Sequence, residues 1–125
     1  MRRSFAVALT FAVAAFAVPA YAQSTGDATK GKSVFRQCSV CHSDKEGENR
    51  VGPSLFGVYG RKAGEAPAFS YSKAVKDSGI SWNDDNLSKY LENPQQVIKG
   101  TRMAFPGLKK PEDRADVIAY LKSLK

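Results

Sequence analysis

Cys38-Ser39-Val40-Cys41-His42 is the stretch that decides how this chain is read. Two thiols three residues apart, followed at once by an imidazole, have the spacing for covalent haem attachment. One helical turn separates the two sulfurs, so both reach one edge of a porphyrin, and the next residue carries its ring beneath the iron. The sequence holds two cysteines, one histidine and, beyond Met1, one methionine, Met103. A c-type haem with His and Met axial ligands would use all four, leaving nothing soft for another metal. Two rival readings of the motif are weaker. Structural zinc needs four ligands at other spacings, and a thioredoxin-like pair needs a strand–helix–strand context that the flanking residues do not supply.

The chain opens Met1-Arg2-Arg3, carries no charge from Phe5 to Val18, and then reads Pro19-Ala20-Tyr21-Ala22. A basic start, an apolar run and an A-x-A site predict a signal peptide over 1–22, cleaved after Ala22. An N-terminal anchor is the alternative, but the uncharged run is shorter than the roughly 20 residues a membrane-spanning helix needs. The domain is then 23–125, exported to the periplasm. Export bears on the cysteines, because a free C-x-x-C pair in an oxidising compartment tends to close into a disulfide unless haem thioethers consume the thiols.

The whole sequence carries 19 Lys and Arg against 12 Asp and Glu; without Arg2 and Arg3 the domain keeps a net charge of +5. That sign steers acidic proteins or anionic surfaces toward it from a distance. Nucleic acid is not an expected partner in the periplasm. A domain of this size buries a modest apolar core, so a porphyrin at its centre would supply much of the core, and the haem-free chain is expected to fold poorly.

Along the domain, Asp27 or Thr29 starts a helix running through Arg36 into the motif. Residues 43–53 are polar and aperiodic and read as loop; 55–71 interleave glycines and prolines with Phe56, Tyr59, Phe69 and Tyr71, a segment ordered by what it wraps. A short helix covers 72–76, with Gly79 placed to stop it. Asn83 or Asp84 caps the next, where Leu87, Tyr90 and Leu91 share a face that Pro94 closes. Residues 95–99 form a further turn, and 100–110 an irregular loop carrying Met103. Pro111 opens the last helix, with Glu112 and Asp113 at its positive end and Lys122 near its negative end. It is expected to cross the first helix at Gly31 and Phe35. No strand-length alternation stands out.

His42 offers Nε2 to iron, and its other ring nitrogen needs an acceptor to fix tautomer and orientation; the Pro53 carbonyl is the candidate. Met103 lies 61 residues further on, far enough for the chain to wrap a ring and return on its other face. A methionine is often flexible core filler, but this one sits in a glycine-bracketed loop, Gly100 to Gly107, off any amphipathic face.

Taken together, the chain resembles class I cytochrome c, of the mitochondrial type and its soluble bacterial periplasmic relatives. The resemblance spans essentially 23–125. It rests on Gly26-Asp27, Lys30-Gly31 through Phe35, C-S-V-C-H, Val51 to Leu55, Gly57 to Lys62, Ala66-Pro67 with Tyr71, Gly79 to Trp82, Tyr90 to Pro94, Gly100 to Met103 and Ala115 to Lys122. It implies an all-α fold of three main helices plus short helices and loops wrapped around one covalent haem c, with N- and C-terminal helices crossing. It also implies thioethers at Cys38 and Cys41, iron ligation by His42 and Met103, and Pro53 behind His42. Arg61, Tyr71 and Trp82 would contact haem propionates, Tyr90 and Thr101 would hydrogen-bond around Met103 and the buried propionate, and Phe105 would lie beside the ligand. Trp82 and Tyr90 also read as ordinary core aromatics.

The pattern departs from the mitochondrial relatives at Val75, where they carry Asn; at Gln37, Gln95 and Gln96, where they carry lysines; and at Lys99, where they carry proline. The basic docking edge would then rest on Lys32, Lys62, Lys99, Arg102, Lys109 and Lys110.

The function implied is that of a monomeric one-electron carrier, not an enzyme. Its partners would be redox proteins (a cytochrome bc complex, a terminal oxidase, a reaction centre or a periplasmic reductase), with membrane contact only through them. The alternative, a haem peroxidase or small-gas sensor, needs an open iron position, which Met103 would close.

Overall fold

The computed structural model describes residues 25–125, and the leader reading over 1–22 lies outside them. The described residues form helices and loops without a β-strand. Asp27 caps helix α1 (Ala28–Val34), its Oδ1 accepting from the Thr29 N–H at 2.8 Å and the Lys30 N–H at 3.2 Å. The helix was expected to run through Arg36. It instead tightens at Phe35–Gln37 into a 3-10 turn that draws Phe35 into the core, at 5% exposure, and delivers the chain to Cys38.

Helix α5 (Pro111–Ser123) crosses α1 at the expected place. A Cβ on Gly31 would fall 1.9 Å from the Asp116 carbonyl oxygen, and one on Gly26 equally close to that of Ala115. No other residue permits backbones this close. Phe35 meets Tyr120 edge-on, ring centres 5.2 Å apart, and the Asp27 N–H donates to Asp116 Oδ1 at 2.7 Å.

Between them lie α2 (Lys73–Asp77), capped by Ser72; α3 (Asp84–Glu92), capped by Asn83; and α4 (Pro94–Val97), capped by Asn93. Helix α3 stops where the residue before a proline is pushed out of helical geometry: Asn93 is extended, at φ −157°. Gly79 follows α2 at φ +66°, a conformation that costs glycine nothing.

Two apolar clusters result. Phe35, Val58, Leu87, Leu91, Leu108, Val117, Ile118, Tyr120 and Leu121 fill the first, around the α1–α5 crossing. Ala63, Val75, Tyr90 and Ile98 make the second. The face of α3 divides between them, Leu87 and Leu91 to one and Tyr90 to the other, while Trp82 packs against both.

Candidate metal centre

Residues 38–42 form a helical turn, with the Cys41 N–H donating to the Cys38 carbonyl at 3.0 Å and the His42 N–H to the same oxygen at 2.9 Å. Both thiols are half-buried and free. Burial pushes the Cys38 thiol up to about 11. A redox-active dithiol needs the opposite shift, toward thiolate, so the site does not have the electrostatics of a thioredoxin-like pair.

His42 is buried at 9% exposure, and its Nδ1 lies 2.7 Å from the Pro53 carbonyl oxygen. A carbonyl only accepts, so Nδ1 carries the hydrogen and the neutral ring keeps its lone pair on Nε2. Burial lowers the His42 pKa, opposed in part by the bond to Pro53, and favours that neutral form. Gly52 makes the approach possible: a Cβ there would fall 2.4 Å from His42 Cε1. Backbone bonds from Gly52 N–H to Cys41 O (2.8 Å) and Leu55 N–H to Ser43 O (2.9 Å) fasten the loop to the motif.

Met103 arrives from the second cluster. Thr101, 6% exposed, stands two residues before it; its Oγ1 lies 2.9 Å from Tyr90 Oη and accepts the Met103 N–H at 3.3 Å. Gln95 Nε2 donates to the Thr101 carbonyl at 2.8 Å, and Arg102 Nη2 to that of Ser70 at 2.6 Å.

The other expected contacts have protein partners of their own. Arg61 donates to the carbonyls of Phe56 (3.2 Å) and Ser54 (3.4 Å). Tyr71 Oη accepts the Ala66 N–H at 3.2 Å. Trp82 tilts against Tyr90 with ring centres 4.9 Å apart. An antiparallel bridge between Lys62 and Ser81, flanked by the Trp82 N–H bond to Arg61 O at 2.9 Å, sets Arg61 and Trp82 side by side in the chain path. Phe105 is partly buried against the first cluster. Val75 is 8% exposed in the second, apolar where apolar neighbours surround it.

Several of these positioning residues went unread in the sequence. Gly52 was noted only within a motif, Gln95 only as a lost lysine, and Asn49 not at all, although it joins two loops by accepting the Ser54 N–H (2.9 Å) and donating to the Pro67 carbonyl (3.0 Å). Of the docking cations, Arg102 and Lys109 are engaged with backbone carbonyls, those of Ser70 and Glu92.

A haem fits this donor set. One buried imidazole presents an unprotonated Nε2, Met103 offers a partly buried thioether packed against the second cluster, and Cys38, Leu55, Tyr71, Trp82, Met103 and Phe105 keep apolar surface only partly covered by protein. Among the described residues no three His, Cys, Asp or Glu side chains converge on a metal. Helices, motif and donor set define a c-type haem protein. Residues 28–125 match the family described as cytochrome c. Cytochrome c of Euglena viridis is 50% identical over 101 residues, 80% of this chain and 99% of that one. Cytochrome c2 of Rhodomicrobium vannielii is 48% identical over 117 residues, 93% of this chain and 94% of that one. The solved structure of cytochrome cH from Methylobacterium extorquens superposes with a TM-score of 0.75 at 43% identity, over 78% of this chain and 99% of that one. The chain belongs to the cytochrome c family: it is an electron-transfer protein, not an enzyme, and carries covalently attached haem c.

Proposed function

We propose that Cys38 and Cys41 hold the haem as thioethers, that His42 and Met103 ligate its iron, and that the protein shuttles single electrons between redox complexes in the periplasm. The bound group supplies a reversible ferric–ferrous couple, which a thioether ligand biases toward the ferrous state, raising the potential. The observation that carries the reading is the His42–Pro53 bond at 2.7 Å, made under a glycine that lets the backbone lie against the ring. It fixes the imidazole before any ligand is met, so orientation costs little when iron is bound. Pro53 holds the proton at Nδ1, Thr101 holds the Met103 backbone, and apolar neighbours exclude water. Arg61, Tyr71 and Trp82 would contact the propionates, Tyr90 and Thr101 would bond around Met103 and the buried propionate, and Phe105 would flank the ligand.

Residues 1–22 serve as the export signal. The Rhodomicrobium alignment covers 93% of this chain, more than residues 25–125 alone can supply, so the likeness extends into that segment. The monomer would meet a cytochrome bc complex, a terminal oxidase, a reaction centre or a periplasmic reductase through small, charge-steered, quickly released contacts. Lys32, Lys62, Lys99 and Lys110 are exposed for this.

The test is an absorption spectrum and a redox titration of the purified holoprotein and of Met103→Ala. The wild type shows a low-spin ferric spectrum with the weak methionine–iron charge-transfer band. Met103→Ala loses the band, drops in potential and opens iron to carbon monoxide. An identical band and potential in the variant would remove Met103 from the site, and an absent band in the wild type would favour the peroxidase or gas-sensor alternative.

A further inference from the structure

We infer that Gln95 is a positioning residue for Met103, acting through the Thr101 carbonyl to keep the Met103 loop closed. The inference rests on Met103 being an iron ligand.

The loop is held unevenly. On the side before Met103, each polar atom of Thr101 is engaged: its N–H with the Ile98 carbonyl at 3.0 Å, its Oγ1 with Tyr90 and with the Met103 N–H, and its carbonyl with Gln95 Nε2. On the side after it, none of the backbone N–H groups of Ala104, Phe105 and Gly107 finds an acceptor among the described residues, and the ladder resumes only when the Leu108 N–H reaches Leu91 O at 2.7 Å. Met103 is therefore hydrogen-bonded from one direction, through Thr101 and through the Arg102 bond to the Ser70 carbonyl, while the chain after it is next held where Gly107 lies against the Glu92 backbone.

Of the groups on Thr101, the side-chain bond to Tyr90 is buried and lies inside the apolar cluster, while the Gln95 bond is made from an exposed residue on the single turn of α4. Gln95 is one residue from Pro94, which is fully buried and pins the start of that helix. The amide thus donates from a fixed platform. Its loss leaves the Thr101 carbonyl to water, loosens the chain around Met103 between its remaining holds at Arg102 and Gly107, and should do so without opening either core. Gln96, the next residue, engages only its backbone N–H, with Asn93, and so supplies the neighbouring control.

The rate at which cyanide binds the ferric holoprotein reads the open population directly, because the Met103 contact must release first. Gln95→Leu and Gln95→Glu, which lack a donor, are expected to speed cyanide binding about fivefold, the factor corresponding to one ordinary intramolecular hydrogen bond. Gln95→Arg, which keeps a donor of longer reach and cannot ligate iron, is expected to stay near the wild-type rate, as is Gln96→Leu. The denaturation midpoint of Gln95→Leu stays within the range of Gln96→Leu. Met103→Ala separates the two layers: fast cyanide binding there with wild-type rates in Gln95→Leu and Gln95→Glu keeps the ligand and overturns the role of Gln95. An unchanged rate in Met103→Ala overturns the ligand reading itself and this inference with it.

Discussion

The α1–α5 crossing and the Met103 loop are built on opposite terms. At the crossing, two backbones touch: Gly31 and Gly26 lie so close to the Asp116 and Ala115 carbonyls that a single added carbon would overlap them, and Val117 beside them is 1% exposed. At the loop, backbone meets backbone only at its far end, where a Cβ on Gly107 would fall 2.0 Å from the Glu92 carbonyl oxygen; around Met103 itself, Met103 and Phe105 stay half-exposed, and side-chain hydrogen bonds from Gln95, Tyr90 and Arg102 do the holding. Steric fit is self-sufficient and unforgiving, whereas a hydrogen-bonded loop with partly covered apolar residues depends on a further apolar body for its core.

Removing the haem breaks the comparison most severely. A Cys38→Ala/Cys41→Ala chain, exported and isolated without haem, is expected to lose most of its stability, of the order of 5–15 kcal/mol for a domain this size, and to melt without cooperativity. Far-UV circular dichroism during heating measures it. Native helicity with a sharp transition would mean that both regions stand on protein contacts alone.

Gly31→Val attacks only the crossing. Its side chain has no space against Asp116, and overpacking of this kind costs about 3 kcal/mol or more where backbone must move. Guanidinium denaturation should show the loss while the methionine–iron band of the folded fraction persists. A coincident loss of the band at neutral pH would show the two regions to be one unit.

The smallest effect concerns the link between them. Tyr120 on α5 donates to Asp44 Oδ2 at 2.6 Å, two residues beyond His42. That bond, more than the opposing burial or the smaller contribution of Lys32, holds the Asp44 carboxyl below its ordinary 3.8. A carboxyl depressed in the folded state stabilises it above the unfolded value and loses that contribution as pH falls through the folded one. Asp44→Asn should therefore flatten the decline in stability below pH ~4, by at most about 1 kcal/mol because the carboxylate is partly exposed. Chemical denaturation across that range tests it; parallel acid curves would make the link energetically silent.

Legibility in the sequence follows the same division. Caps, proline stops and the i, i+3, i+4 face of α3 are local, and Asp27, Asn83 and Pro111 stand where their chemistry places them, whereas Ser72, expected inside the short helix, is its cap. Gly31 and Phe35 were readable as a crossing point because a small and a large residue one turn apart have few other uses. Gln95 and Asn49 were not readable, since an exposed amide carries no sign of which distant carbonyl it will meet. Arg102 shows the converse: a cation that looks available for docking is bound to Ser70, 32 residues away.

By itself the sequence determined the attachment motif, the number of soft donors, the order of the helices and the family, because each depends on residue type and short spacing. Only the tertiary structure brought the Pro53 carbonyl to 2.7 Å from His42 Nδ1, showed that Gly52 must be a glycine for the ring to lie there, and tied Thr101 to both Gln95 and the Met103 N–H. Those depend on distances between segments far apart in the chain, and hydrogen bonds of that kind leave no periodic trace for a sequence to display. The motif Cys38 to His42 names the group the chain holds; the loops packed around His42 and Met103 set how firmly each side chain is kept.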